Sequence, residues 1–155
     1  MATTDFTDEM EHDGIVYSTD RSRLDLPFVY NYLNISYWAK GVPQSIFQRS
    51  VENSICIGMY KGGKQVGFAR LITDQATFAW LADVFVDEAF KGQGISKRMM
   101  QFIMSFDFVP TLRRFMLATR DAHGLYEKSG FQVPENPDRL MEVLQADIYS
   151  RIEHL

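Results

Sequence analysis

The sequence predicts a mixed α/β domain in which helices pack on a mostly antiparallel sheet. Three observations carry that prediction. Between Ile55 and Val86, three apolar runs follow one another with only turn residues between them. Apolar residues recur at helical spacing over 43–53 and again over 94–106. The third run leads through the second of these helices to another apolar run, a crossover long enough for a parallel, right-handed βαβ unit. A chain of 155 residues is of ordinary size for one such domain.

The elements follow in order. Residues 1–13 are acidic and are expected to be loose at the start. Gly14–Ser18 reads as a short strand, rich in β-branched and aromatic residues. Pro27 limits where a helix can begin, and a short one is expected near Phe28–Leu33. Pro43 suits the first turn of a helix reaching Asn53, with Ile46, Phe47 and Val51 on one face. Ile55–Tyr60 and Gln65–Thr73 are strands joined by the hairpin signal Lys61-Gly62-Gly63-Lys64. Phe78–Val86 is the third strand of this set. Gly94–Phe106 is a helix with Ile95, Met99, Phe102, Ile103 and Phe106 on one face. Arg114–Ala118 is a strand. Asp121 is placed to cap a helix over Ala122–Ser129, which Gly130 stops. Phe131–Val133 and Leu140–Val143 read as the last strands.

Composition narrows the function. Hydrophobic residues make up 46% and aromatics 14%, enough for one core and a lined pocket. A net charge of −4 and the lack of a long basic run speak against nucleic acid as a partner. Cys56 is the only cysteine, so neither an intrachain disulfide nor a cysteine metal cluster can form, and no metal is expected. Residues 1–14 are polar and acidic, unlike a signal peptide, and no apolar run approaches the length of a membrane span. A soluble cytoplasmic protein, with no membrane partner, is the expectation.

The chemistry-bearing stretch is 84–98, Val-Phe-Val-Asp-Glu-Ala-Phe-Lys-Gly-Gln-Gly-Ile-Ser-Lys-Arg. A strand runs into a loop with two glycines, and a helix opens directly after it. The first amides of a helix have no partner within it, and the helix dipole adds positive potential there. Glycines let a ligand approach that backbone closely. Lys91 and Lys97 flank the loop. The Gly-Lys-Ser/Thr ending of the nucleotide P-loop is absent, as is the third glycine of the dinucleotide fingerprint. The loop alone therefore reads either as an anion site or as a plain strand-to-helix connection.

Lys91-Gly92-Gln93-Gly94-Ile95-Ser96, following an apolar strand that ends at Val86, resembles the signature of the GNAT acyltransferase family, Gln/Arg-x-x-Gly-x-Gly/Ala. Ala122-His123-Gly124-Leu125-Tyr126-Glu127-Lys128-Ser129-Gly130-Phe131 is similar to that family's Ala-x-x-Leu-Tyr-Glu-Lys-x-Gly-Phe segment. Two motifs in the right order are far more specific than either one, and the order of elements resembles the family's over about 14–145. Lys91 departs from the usual Gln or Arg, Ser96 from the usual Gly or Ala, and Thr119 from a frequent Asn.

The resemblance implies an N-acetyltransferase that uses acetyl-coenzyme A as co-substrate and acts on a small-molecule or peptide amine. It implies that backbone groups of Phe85 and Val86 pair with the pantetheine arm, and that amides from Lys91 through Gly92, Gln93, Gly94 and Ile95 to Ser96, with Lys97 beside them, hold the pyrophosphate. It implies Tyr126 as the general acid toward the leaving thiolate. A dimer is common among similar proteins. Asp83 lies inside an apolar strand, where a carboxylate needs a reason. It is a candidate for binding or deprotonating the amine, or else for a salt bridge to Arg70. His123 stands one helical turn before Tyr126. Tyr37, Trp38 and Trp80 are candidates for the acceptor pocket or for the core. The alternative from another class is a non-catalytic acyl-coenzyme A-binding module of the same fold.

Overall fold

The computed structural model describes residues 6–152. Its frame is a six-stranded sheet with strands side by side in chain order. These are β1 (Glu9–His12), β2 (Ile15–Ser18), β3 (Ile55–Lys61), β4 (Lys64–Thr73), β5 (Phe78–Val86) and β6 (Arg114–Leu117). All neighbours pair antiparallel except β5 and β6, which are parallel. The predicted mixed fold and its βαβ crossover are both present. No helix among the described residues is long and apolar enough to cross a membrane.

The acidic start is more ordered than its composition suggests. Residues 1–5 lie outside the described residues, but Glu9–His12 forms β1. Asp13 and Gly14 both take positive φ, 52° and 78°, which is the requirement of a tight two-residue hairpin turn. Met10 then turns inward onto the core.

Two apolar clusters cover the two faces of the sheet. On one, α1 (Leu26–Ile35) and α2 (Gln44–Glu52) bring Val29, Leu33, Phe47 and Val51 onto Cys56, Phe68 and Phe85. Asp25 starts α1 by accepting from the Phe28 amide at 3.2 Å, and Pro43 is the N-cap of α2. Cys56 is 2% exposed, and burial pushes its thiol up to about 12. On the other face, α3 (Ile95–Met104) buries Ile95, Met99, Phe102 and Ile103, the stripe read from the sequence, followed by Phe106. α4 (His123–Glu127) adds Tyr126 to this cluster.

The C-terminal third departs from expectation. Asp121 does not cap α4. Ala122 is the N-cap residue, and its amide donates to Thr119 Oγ1 at 3.0 Å. Phe131–Val133 is not a strand. The Gly130 and Phe131 amides donate back to Glu127 O and Tyr126 O, closing α4 with Gly130 at φ 95°. Pro134 has no amide to continue a ladder. Leu140–Val143 is not in the sheet either. A 3-10 turn at Pro137–Arg139 leads into it, and the amides of 141–144 donate to no described residue. The short α5 (Ile148–Arg151) then lays Tyr149 against the α1/α2 cluster.

Candidate active site

The site begins where β5 parts from β6. Their ladder runs from Phe78↔Arg114 to Leu81↔Leu117 and then ends. β4 continues along β5, but between the pairs Phe68↔Phe85 and Arg70↔Ala82 the strand β5 carries one extra residue. Asp83 stands at this bulge with φ 57°. Left-handed backbone costs most residues about 1–2 kcal/mol, and Asp is one of the few that visit it readily. The inserted residue also shifts the phase of the strand. Ala79 and Leu81 face the α3 side and so do Val84 and Val86, while Phe85 goes to the α1 side.

Both oxygens of the Asp83 carboxylate are engaged. Oδ2 accepts from Arg70 Nε at 2.8 Å and Oδ1 from Trp38 Nε1 at 2.9 Å, while Arg70 also donates to Ser54 Oγ at 3.0 Å. The salt bridge to Arg70, one of the two readings of Asp83, is present, with side chains 12% and 15% exposed. Asp83→Asn keeps a residue that tolerates this backbone and removes the charge. It is expected to lower stability by about 1–3 kcal/mol in urea denaturation. An unchanged midpoint and slope would mean that the pair does not hold the bulge.

The parting strands leave a cleft of about 780 Å³. Val84, Phe85 and Val86 form one wall, and Leu125 and Tyr126 the other. The Phe85 ring packs on the α1 side, stacked on Tyr32 at 3.8 Å and 6°, and both residues line the cleft. The mouth of α3 also lines the cleft. Gly92 and Gly94 both have φ 79°, and a Cβ built on either would meet nothing within 4 Å. Gly94 is the N-cap residue and supplies no side-chain bond, and Ser96 does not cap the helix. The amides from Gly92 to Lys97 donate to no described residue. The helix mouth is held by Ile95, 3% exposed, whose carbonyl accepts from the buried Tyr17 hydroxyl at 3.3 Å. Lys91 Nζ turns to Glu88 Oε1 at 2.6 Å, which raises its pKa. Lys97 is exposed and in no ion pair with a described residue.

Tyr126, Tyr37 and Trp38 also line the cleft. Tyr126 is 7% exposed, and burial, followed by the neighbouring Tyr37, pushes its phenol up to about 12. Its hydroxyl bonds to no described residue. Tyr37 packs edge-on to Trp38 with ring centres 5.0 Å apart, and the Arg120 guanidinium lies 3.9 Å over the Tyr37 ring. Tyr32 and Arg120 escaped the sequence reading, since only the folded chain brings 30–38 beside 120–126. His123 lines a separate trough along β6, and Trp80, beside Met116 of β6 and Ile72 of β4, lies outside the cleft lining.

A family model described as an acetyltransferase (GNAT) domain matches residues 52–133. A candidate GNAT-family acetyltransferase of Xanthomonas campestris pv. campestris, solved as a crystal structure, is 44% identical. The match covers 91% of this chain and 99% of that one, with a TM-score of 0.86. A candidate acetyltransferase of Gibberella zeae is 29% identical over 133 residues, 72% of this chain and 75% of that one. A Clostridium acetobutylicum protein solved with acetyl-CoA shares the fold at 12% identity and a TM-score of 0.61, over 90% of this chain and 99% of that one.

Proposed function

The chain belongs to the GNAT acetyltransferase family, and we propose that it moves the acetyl group of acetyl-coenzyme A onto a primary amine with Tyr126 as proton donor. One observation carries the reading. The mouth of α3, with its unbonded amides, and Tyr126, whose hydroxyl bonds to no described residue, line one cleft. The amides suit a diphosphate, because their N–H groups carry the partial positive charge of a helix N-terminus and no Cβ at Gly92 or Gly94 stands over them. The backbone of Phe85 and Val86 lies free along the gap left by β6, where an extended amide-bearing arm pairs as an added strand would.

Acetyl-coenzyme A supplies an acyl carbon already activated toward an amine. The residues of this chain orient it and manage protons. As the amine nitrogen bonds to the acetyl carbon and the carbon–sulfur bond breaks, Tyr126 gives its phenolic proton to the sulfur. The nitrogen releases one proton to water, and Tyr126 regains its own from solvent. A phenol pushed up to about 12 remains protonated at neutral pH and so stays a donor. Asp83 acts at one remove, holding the bend of β5 and the Trp38 indole at the acceptor end.

Release of free thiol from acetyl-coenzyme A, measured over a panel of small amines and peptide N-termini, tests the reaction. Turnover with some members is expected. Tight coenzyme binding without turnover on any amine would favour the non-catalytic module instead. Coenzyme A at about 100 times its Kd is expected to raise the melting temperature by roughly 5–10 °C. No shift at millimolar coenzyme would remove the binding site itself.

A further inference from the structure

We propose that the acceptor is an apolar primary amine that also carries a carboxylate, its body lying on Ile35, Tyr37 and Trp38 and its carboxylate pairing with Arg120. The proposal rests on the acetyl-transfer reading above and names the substrate class of the same site. Ile35 is 78% exposed, Tyr37 57% and Trp38 40%, and all three line the cleft with Tyr126. Large apolar side chains held in water along a cleft are a cost that an apolar ligand offsets. This rim is also built to hold its shape. Ser36 closes α1, its hydroxyl donating to Leu33 O at 2.7 Å and accepting from the Ala39 amide at 3.1 Å. The Gly41 amide donates back to Asn34 O at 3.0 Å. Within this turn the Trp38 indole is fixed by Asp83 Oδ1, and Tyr37 stands edge-on to it. A surface ordered before its ligand arrives loses less freedom on binding.

The charge beside the rim distinguishes an acid from a plain amine. Arg120, next in the chain to Asp121 of the lining, places its guanidinium 3.9 Å over the Tyr37 ring. It is exposed and in no ion pair with a described residue. A guanidinium stacked by its face keeps its N–H donors at the edge, in the plane where a carboxylate accepts two of them at once. The neighbouring charges are engaged elsewhere. Asp83 is held by Arg70, and Glu88 by Lys91 at 2.6 Å. The hydrogen bond to Glu88 raises the Lys91 pKa, and the Asp121 charge adds to the rise. Lys97 lies in the first turn of α3, beside the amides assigned to the diphosphate. That leaves Arg120 for the acceptor, where it attracts an acid and repels a polycation. Burial raises the Tyr126 pKa, and the Tyr37 phenol, close by, adds to it. An acid paired with Arg120 on the Tyr37 ring is therefore held beside the proton donor.

Thiol release measured with matched amines tests the proposal: phenylalanine against phenethylamine, leucine against isopentylamine, and ε-aminocaproate against pentylamine. Each second amine is the first without its carboxylate, and the spacing of amine and acid varies across the pairs. At least one acid is expected to exceed its twin in kcat/KM roughly 10- to 100-fold. Glycine, an acid with no apolar body, is expected to fall at least about tenfold below the best acid. Arg120→Met, which keeps an apolar stem on Tyr37, should bring the ratio of acid to twin to about one, and Arg120→Lys should keep part of it. If every twin matches its acid, or if glycine or spermidine matches the best acid, the proposal is overturned while acetyl transfer stands. A ratio that Arg120→Met leaves intact overturns it equally, since a merely structural stack would slow acid and twin alike. Should no amine turn over, acetyl transfer fails, and calorimetry of the three acids with coenzyme A present decides the site by itself. Binding that Arg120→Met weakens tenfold or more upholds a site for apolar amino acids. No binding, or binding that the variant keeps, overturns it.

Discussion

Tyr126→Phe lowers kcat about 100-fold and leaves coenzyme affinity unchanged. The size follows from the usual worth of a positioned proton donor. The selectivity follows from geometry. Tyr126 lines the cleft through its side chain whereas the coenzyme site proposed at Gly92 to Lys97 is made of backbone amides, and removing one oxygen leaves the ring packed on Phe131 at a centre distance of 6.0 Å. The hydroxyl has no partner among the described residues to lose, so the fold should be untouched. Steady-state kinetics and calorimetric binding of coenzyme A separate the two effects. Equal turnover in the two proteins would take the acid role from Tyr126. In the native protein the fall in rate on the alkaline side that belongs to this group lies at about pH 12, because burial raises the pKa and deprotonation removes the donor.

Gly94→Val abolishes coenzyme binding at concentrations that saturate the native protein. Two costs are expected, and they can be told apart. Gly94 sits at φ 79°, so any side chain strains the backbone by about 1–2 kcal/mol. The isopropyl group also occupies the open space over the α3 amides, where a Cβ has no protein neighbour within 4 Å and a ligand oxygen would have to sit. Gly62→Val gives the first cost alone, since Gly62 has φ 56°, lies in the β3–β4 turn and is not among the residues that line the cleft. The Gly62 variant should lose stability and keep its affinity. Should the Gly94 variant also bind normally, the diphosphate must lie elsewhere.

Local pattern made most of the frame legible. The stripe from Ile95 to Phe106 and the glycine pair at 62–63 each specify their element within a few residues, and tertiary contacts agree with them. The Asp13-Gly14 turn was equally local, but the acidic residues around it masked a hairpin signal. The bulge at Asp83 is another matter. A carboxylate in an apolar strand flags the position, yet the cause lies in Trp38, Arg70 and Ser54, which sequence spacing does not bring together. Three residues of the cleft lining were legible beforehand, Gly92 and Gly94 from the backbone a helix mouth needs and Tyr126 from a motif. The contact between Tyr37, in the lining, and Arg120 forms only after folding. Leu140–Val143 has a strand's residues, but a ladder needs a second strand, and residue pattern does not say where that strand is.

Cys56 has a practical bearing on how this protein can be followed. Its sulfur is sealed beneath α1 and α2 and stays protonated across any working pH. Disulfide-exchange dyes and alkylating reagents therefore meet no reactive sulfur on the folded polypeptide, and any colour that develops in a reaction mixture counts coenzyme molecules set free. The same seclusion spares the enzyme from oxidants that inactivate proteins through exposed sulfhydryls.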